Sequence, residues 1–314
     1  MMLVNGSAHA STVARSEQLS IGTMSGPCVA IDIGGTKIDI AIVSVEGTIL
    51  DRVMLPTDQD ADDSLLFSAV METAGRLIRR APDAPTVCGV GCGGPMAREG
   101  VTVSPLNIPA WRSFPLRARL REALDLPVAV DNDAKALALA EGWLGAARNV
   151  DSYVAMVVST GIGGGIVLNG KLLNGAEGNA GHLGHLVVEP NGRRCVCGVR
   201  GCLEAEASGT AIRAITGRPA AQAAPHDVER CGEMVGRAVA SVVTLLDLDL
   251  CLVAGSVALG FGIPFFDAAN RSMRERLGLD YTRSAVIAPA GLGADAPILG
   301  AARVGFLSMA STVG

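Results

Sequence analysis

Aromatic side chains make up only 3% of this chain, with two Trp, two Tyr and six Phe in 314 residues. That scarcity removes the stacking platforms on which single-stranded nucleic acids are bound. Charged residues reach only 18%, the net charge is −5, and no basic run occurs. A footprint for tracking a phosphate backbone is therefore not expected, and nucleic acid is excluded as a partner. No unbroken stretch of about eighteen apolar residues occurs, so no membrane partner or span is expected. Residues 1–26 lack an apolar core behind a cationic start and do not read as a signal peptide. They read as a disordered tail, with Met24 a candidate start.

Glycine, by contrast, is abundant, at 39 residues. It marks tight turns and places where backbone comes close to a ligand. The length fits two domains with a sizeable core. Of eight cysteines, Cys28, Cys88, Cys92, Cys231 and Cys251 lie alone in apolar runs and read as buried thiols. That usage suits a reducing cytoplasm.

The remaining cysteines sit in one stretch, Cys195-Val-Cys197-Gly-Val-Arg-Gly-Cys202-Leu-Glu204, just after Gly181-His-Leu-Gly-His185. His185, Cys195, Cys197 and Cys202 form a Cys₃His set, a common closed structural zinc site. Glycines at 198 and 201 let the turn close. Glu204, directly behind the last cysteine, suggests that the metal shapes a binding pocket.

Short apolar runs predict strands over 28–33, 37–43, 48–54, 86–92, 127–130, 153–158, 250–253 and 284–287. Helical spacing predicts helices over 62–80, 115–124, 132–144, 228–246, 264–277 and 296–308. Glu46-Gly47 and Asn169-Gly170 read as hairpin turns. Three strands and then strand–helix alternation appear twice. This plan predicts two similar α/β domains facing a cleft, 27–131 and 132–295, with helix 296–308 completing the first.

Two glycine loops follow strands: Asp32-Ile-Gly34-Gly35-Thr36-Lys37 and Ser159-Thr160-Gly161-Ile-Gly163-Gly-Gly165. Each lets phosphate oxygens approach backbone N–H groups, and Asp32 is placed to hold Mg²⁺ directly or through water. A hairpin turn with a capping Asp accounts equally well for the first loop taken alone. Neither loop has the P-loop, protein-kinase or dinucleotide-fold pattern. Asp131-Asn132-Asp133 lies at a strand-to-helix junction, where open α/β sheets face ligands. One of the three is expected to cap the helix. The others suit reading sugar hydroxyls and accepting a proton.

In order and spacing these motifs, together with Asn132-Asp133-Ala134 and Ala180-Gly-His-Leu-Gly-His185, resemble the ROK family of sugar kinases and repressors, from about residue 27 to residue 308. The resemblance implies two actin/hexokinase-like (ribonuclease-H-like) domains with a central cleft and a zinc-binding loop. It implies ATP and Mg²⁺ as cofactors beside structural Zn²⁺, a small sugar as substrate, and a homodimer. Asp133 matches the catalytic base and Asn132 its sugar-binding neighbour. Asp32, Thr36, Thr160 and Gly161 match the phosphate and Mg²⁺ loops, to which Gly34, Gly35, Lys37, Gly163 and Gly255 belong as cofactor-binding positions. His185, Cys195, Cys197 and Cys202 match the zinc ligands. Glu204, Gly94, Asn107 and His185 match the sugar pocket.

Three positions depart from the family pattern. His182 stands where a sugar-contacting Glu is common, as in bacterial N-acetylmannosamine kinases. Met96 replaces a glycine after Pro95. Ala254-Gly255 stands where two glycines are common near the adenosine. The implied activity is phosphorylation of a hexose or N-acetylhexosamine. Two alternatives remain at this point. One is a sugar-responsive regulator, although fewer than thirty residues precede the first strand and no basic recognition helix is visible. The other is a catalytically silent sugar-binding protein.

Overall fold

The structure, a computed structural model, describes residues 26–58 and 62–310. The expected tail and the candidate start at Met24 lie outside these residues, apart from Gly26.

The chain opens with β1 (Cys28–Ile33), β2 (Lys37–Val43) and β3 (Ile49–Pro56), followed by α1 (Asp63–Arg80), β4 (Val87–Cys92), α2 (Leu116–Leu124) and β5 (Val128–Asn132). Next come α3 (Asp133–Trp143), β6 (Tyr153–Val158), β7 (Ile162–Leu168) and the short β8 (Lys171–Leu172). Then follow α4 (Leu203–Ala207), α5 (Gly209–Thr216), α6 (Pro225–Leu246), β9 (Leu250–Ala254), α7 (Ser256–Phe261), α8 (Ile263–Arg274), β10 (Val286–Pro289) and α9 (Ala296–Ala310).

The strands form two five-stranded sheets with one topology. The first is ordered β3-β2-β1-β4-β5 and the second β8-β7-β6-β9-β10. In each, the first three strands form an antiparallel meander, and the first strand then pairs in parallel with the fourth. The twofold plan expected from the sequence is present in the sheets. The short helices α4, α5 and α7 were not foreseen. Their five to eight residues span at most about two turns, too few to establish a 3.6-residue period.

Local chemistry explains the well-read elements. Strand β1 is apolar and fully buried, as a central strand covered on both faces should be. Helix α1 starts at Asp62, whose carboxylate accepts the N–H groups of Ser64 and Leu65 at 2.9 and 2.8 Å. It buries Leu66, Phe67, Val70, Ala74 and Leu77 along one stripe.

Helices α3 and α9 join the two halves. Helix α9 lies across β1 and β4. There Gly89 and Gly305 approach so closely that a Cβ on Gly89 would fall 2.5 Å from the Gly305 nitrogen. Helix α3 leaves the first sheet and packs on β6 and β7 of the second, while also packing against α9. Small residues make these crossings possible: Gly300 meets Ala136, and Gly165 meets Ala134 and Ala138. Among the described residues, no helix is long and apolar enough to cross a membrane.

Candidate active site

The first part of the site is built by the carboxyl ends of β1, β4 and β5. Their register sets Asp32 beside Gly91 and Gly91 beside Asp131, and likewise Ile33, Cys92 and Asn132. The side chains that end these strands, with Asp133 at the head of α3, therefore gather at one edge of the sheet, where open α/β sheets bind ligands.

The three polar residues of 131–133 divide their work. Asn132 is the helix N-cap, its Oδ1 accepting the Ala134 N–H at 3.0 Å. Asp131 accepts the Asn132 N–H at 2.7 Å and pairs with Lys135 at 2.7 Å. Asp133 accepts the Ala134 N–H through Oδ1 at 2.8 Å. A Cβ on Gly93 would lie 3.9 Å from its other oxygen, Oδ2. Solvent reaches Asp133, yet the protein around it desolvates its carboxyl and raises it above the usual carboxylate range, against the opposing pull of the Ala134 N–H and of His182. Asp32 is buried. Burial first, then the charges of Asp133 and Asp39, push it up to about 7.

The turn after β1 carries the first glycine loop. Gly34 donates to the Lys37 carbonyl at 3.0 Å, and Thr57 ties the turn to β3 through Gly34 and Thr36. Asn107 stands directly over Gly35, where a Cβ would be 2.5 Å from the Asn107 Cβ. Its loop is pinned by Ile108 and Trp111, both buried, with Trp111 stacked on Phe114 at 4.4 Å. Gly94 faces Asn132. Lys37 is exposed, its Nζ 3.7 Å from Met54 Sδ on β3.

The second sheet supplies the opposite side. Ser159-Thr160-Gly161 turns between β6 and β7, and its carbonyls accept from the head of α5: Gly209 N–H to Ser159 at 2.7 Å and Thr210 Oγ1 to Thr160 at 2.9 Å. Ser159 Oγ lies 3.0 Å from Ser256 Oγ at the head of α7. Gly255, at φ +100°, allows that approach, since a Cβ there would be 2.3 Å from the Val158 carbonyl.

Gly163, read from the sequence as part of a phosphate loop, instead lies inside β7. Gly163 and Gly165 face α3, with Cβ positions 3.0 Å and 2.7 Å from Ala134 and Ala138 Cβ, while Gly164 faces Leu183, two residues before His185. The alternating geometry of a strand puts them on opposite faces, so the glycine triplet seats a helix on one side and the segment leading to His185 on the other.

His185, Cys195, Cys197 and Cys202 come together, with their ligand atoms all within 4.8 Å of one another. Cys195 Sγ is 3.6 Å from His185 Nδ1, and Cys197 Sγ is 3.6 Å from Cys202 Sγ. Tetrahedral zinc with Zn–S near 2.3 Å needs sulfur atoms about 3.7 Å apart, so the cluster fits the ion. Gly201, at φ +74°, folds under Glu189 where a Cβ would strike the carbonyl. His185 commits its Nδ1 to the cluster. His182, 6.1 Å away ring to ring, lies within electrostatic reach of Asp133 and Glu204. Partial burial first, then His185, lower it below the ordinary imidazole range. Glu204 Oε2 accepts the Ile162 N–H at 2.9 Å.

Sequence reasoning missed Glu206. It is buried and accepts from the Arg193 backbone and guanidinium and from Arg230, tying the metal loop to α6. Burial alone would raise its carboxyl, but these donors outweigh that and hold it below the usual range. Its signal was present in Leu203-Glu-Ala-Glu-Ala207, where a second acid follows Glu204.

Fold and site together define a two-sheet α/β protein with paired carboxylates at strand ends, glycine turns on either side and a Cys₃His loop at the rim. The ROK family model matches residues 28–305. The chain is 33% identical to a glucokinase of Thermotoga maritima over 308 residues, covering 88% of this chain and 96% of the relative. It is 36% identical to an N-acetylmannosamine kinase of Yersinia pestis over 254 residues, covering 76% and 85%. It also matches the crystal structure of a ROK hexokinase from Thermus thermophilus, with a TM-score of 0.81, 34% identity and coverage of 91% and 99%. The chain belongs to the ROK family.

Proposed function

We propose that this protein transfers the γ-phosphate of ATP to the 6-hydroxyl of a hexose or N-acetylhexosamine. The observation that carries the reading is Asp133: a carboxylate with raised proton affinity at a strand-to-helix junction, its Oδ2 close to Gly93, set near a buried acid, Asp32. The sugar-kinase activity itself is supported by curated relatives from two kinase groups. These relatives do not favour the regulator reading.

In this reaction Asp133 takes the hydroxyl proton as the oxygen attacks phosphorus. Asn132, Gly94, Asn107, His182 and Glu204 orient the sugar. His185 holds the floor of the pocket through the metal loop. Asp32 holds Mg²⁺, and Gly34, Gly35, Thr36, Lys37, Thr160, Gly161 and Gly255 border the nucleotide. Bound ATP and Mg²⁺ supply the phosphoryl group and the charge neutralisation that a loose transition state requires. Zinc on His185, Cys195, Cys197 and Cys202 is structural, because four protein ligands leave no open position. Residues 27–131 with 296–308 form one lobe and 132–295 the other, and their closure excludes water. Five buried thiols beside three metal-ligating cysteines suit a cytoplasmic enzyme. A homodimer completes the reading.

A coupled ADP-release screen over hexoses and N-acetylhexosamines tests the proposal. Sugar-dependent ADP release with 6-phosphate product is expected. ATP hydrolysis indifferent to sugar would reject it.

A further inference from the structure

Lys135 is among the few buried charged residues, at 3% side-chain exposure. A buried ammonium persists only where its protons are matched by acceptors. Here three are present: Asp131 Oδ1 at 2.7 Å, Asn174 Oδ1 at 2.8 Å and the Gly178 carbonyl at 3.2 Å.

These acceptors come from two different places. Asp131 belongs to β5 in the first sheet, and the same Oδ1 accepts the Asn132 N–H at 2.7 Å. Asn174 and Gly178 belong to the loop after β8 in the second sheet. That loop leads through Gly181, whose Cβ position is 2.2 Å from the Gly164 carbonyl, into His182. Within the loop, backbone bonds are sparse: Leu173 N–H to Ile166 and Ala180 N–H to the Asn174 carbonyl. The Lys135 backbone cannot shift to follow a moving loop, because its Cα is 2.9 Å from the Cβ position of Gly165 on β7.

We propose that Lys135 is a positioning residue for phosphoryl transfer. Its ammonium ties the segment presenting Asn132 and Asp133 to the loop presenting His182, and so fixes the sugar-binding floor across the two halves of the molecule. This rests on the kinase reading given above. Lys135 acts through these neighbours rather than on the substrate.

The test uses the full-length wild type with Lys135→Met, which keeps the stem and removes the charge, and Asn174→Ala, an exposed site whose change removes the shorter of the two loop-side contacts. For the preferred hexose, Lys135→Met should raise the sugar KM, and the sugar Kd measured calorimetrically without nucleotide, by about tenfold or more, with ATP KM within about twofold, as misplacement of a positioned substrate predicts. Asn174→Ala should move sugar KM in the same direction, and the double variant should be no worse than Lys135→Met. A structural role alone would lower Tm and leave that sugar-specific split absent. Both variants keeping wild-type sugar KM and kcat, or losing sugar and ATP affinity equally, would overturn the inference. If Lys135→Met does not fold, Asn174→Ala decides by the same criterion. A wild type that releases no ADP with any sugar overturns the kinase reading and this inference with it. An active wild type with unchanged variants overturns the inference alone.

Discussion

Glu204 Oε2 accepts the backbone N–H of Ile162 at 2.9 Å, forty-two positions earlier in the chain. The bond joins the segment just behind the last metal-ligating cysteine to the second glycine turn. One carboxylate oxygen is thereby fixed by the protein. The Cys₃His segment, the glycine turn and the candidate sugar-reading carboxylate are thereby linked.

Asp133→Asn should abolish turnover while leaving sugar binding and folding largely intact. The amide keeps the shape at the head of α3 but cannot take a proton. A loss of at least about 10²-fold in kcat is expected, the usual scale for a general base. Near wild-type kcat would reject Asp133 in that role.

The metal site should be structural. Purified protein should carry about one zinc per chain, as a closed Cys₃His site requires. Cys197→Ser should lose both metal and thermal stability, because binding energy at such a site is folding energy. Elemental analysis and a melting curve before and after chelation check this. A zinc-free protein with unchanged stability would refute it.

His182 should set sugar preference. Glutamate offers two acceptor oxygens, whereas neutral histidine offers one donor and one acceptor, suited to an N-acetyl group or an axial C2 substituent. N-acetylmannosamine should be preferred over glucose, and His182→Glu should shift kcat/KM toward glucose by roughly 5- to 150-fold, the equivalent of one mismatched buried hydrogen bond. A wild type that prefers glucose, with a ratio unmoved by the substitution, leaves His182 a structural residue.

Asp32 should make stability depend on pH. Burial lifts it from 3.8 to about 7, so between those values the folded chain holds a proton that the unfolded chain has released. Stability without added Mg²⁺ therefore falls as pH rises through that window. Asp32→Asn should flatten the Tm-against-pH curve there. A curve of unchanged slope would argue against the burial cost.

Glu141 should be essential for stability. Its buried carboxylate accepts three backbone N–H groups, from Ala146 at 2.8 Å and from Gly291 and Leu292 at 3.0 Å each. The first lies on the connection from α3 to β6 and the others on the connection from β10 to α9. Glu141→Leu would orphan all three, each costing about 1–3 kcal/mol. A drop of about 3 kcal/mol or more in urea unfolding is expected, and a loss under about 1 kcal/mol would contradict it.

Much of the molecule was legible in the chain. Uninterrupted apolar runs with turn residues between them marked nearly every strand, because burial on both faces demands it. The repeated order of those runs specified two like sheets. The spacing of His185, Cys195, Cys197 and Cys202 pointed to a group of candidate metal ligands, and the fold brings their ligand atoms within 4.8 Å of one another. What the sequence left open was the allocation of polar groups. It showed that Asp131, Asn132 and Asp133 share a junction, but only the folded chain decided that Asn132 caps, Asp131 holds Lys135 and Asp133 comes close to Gly93. It placed Gly163 in a loop, whereas packing against Ala134 put it in a strand. It gave no sign that Glu141 and Lys135 would be buried. Each is held by partners far along the chain, and long-range partners are set by tertiary packing, which local spacing does not encode.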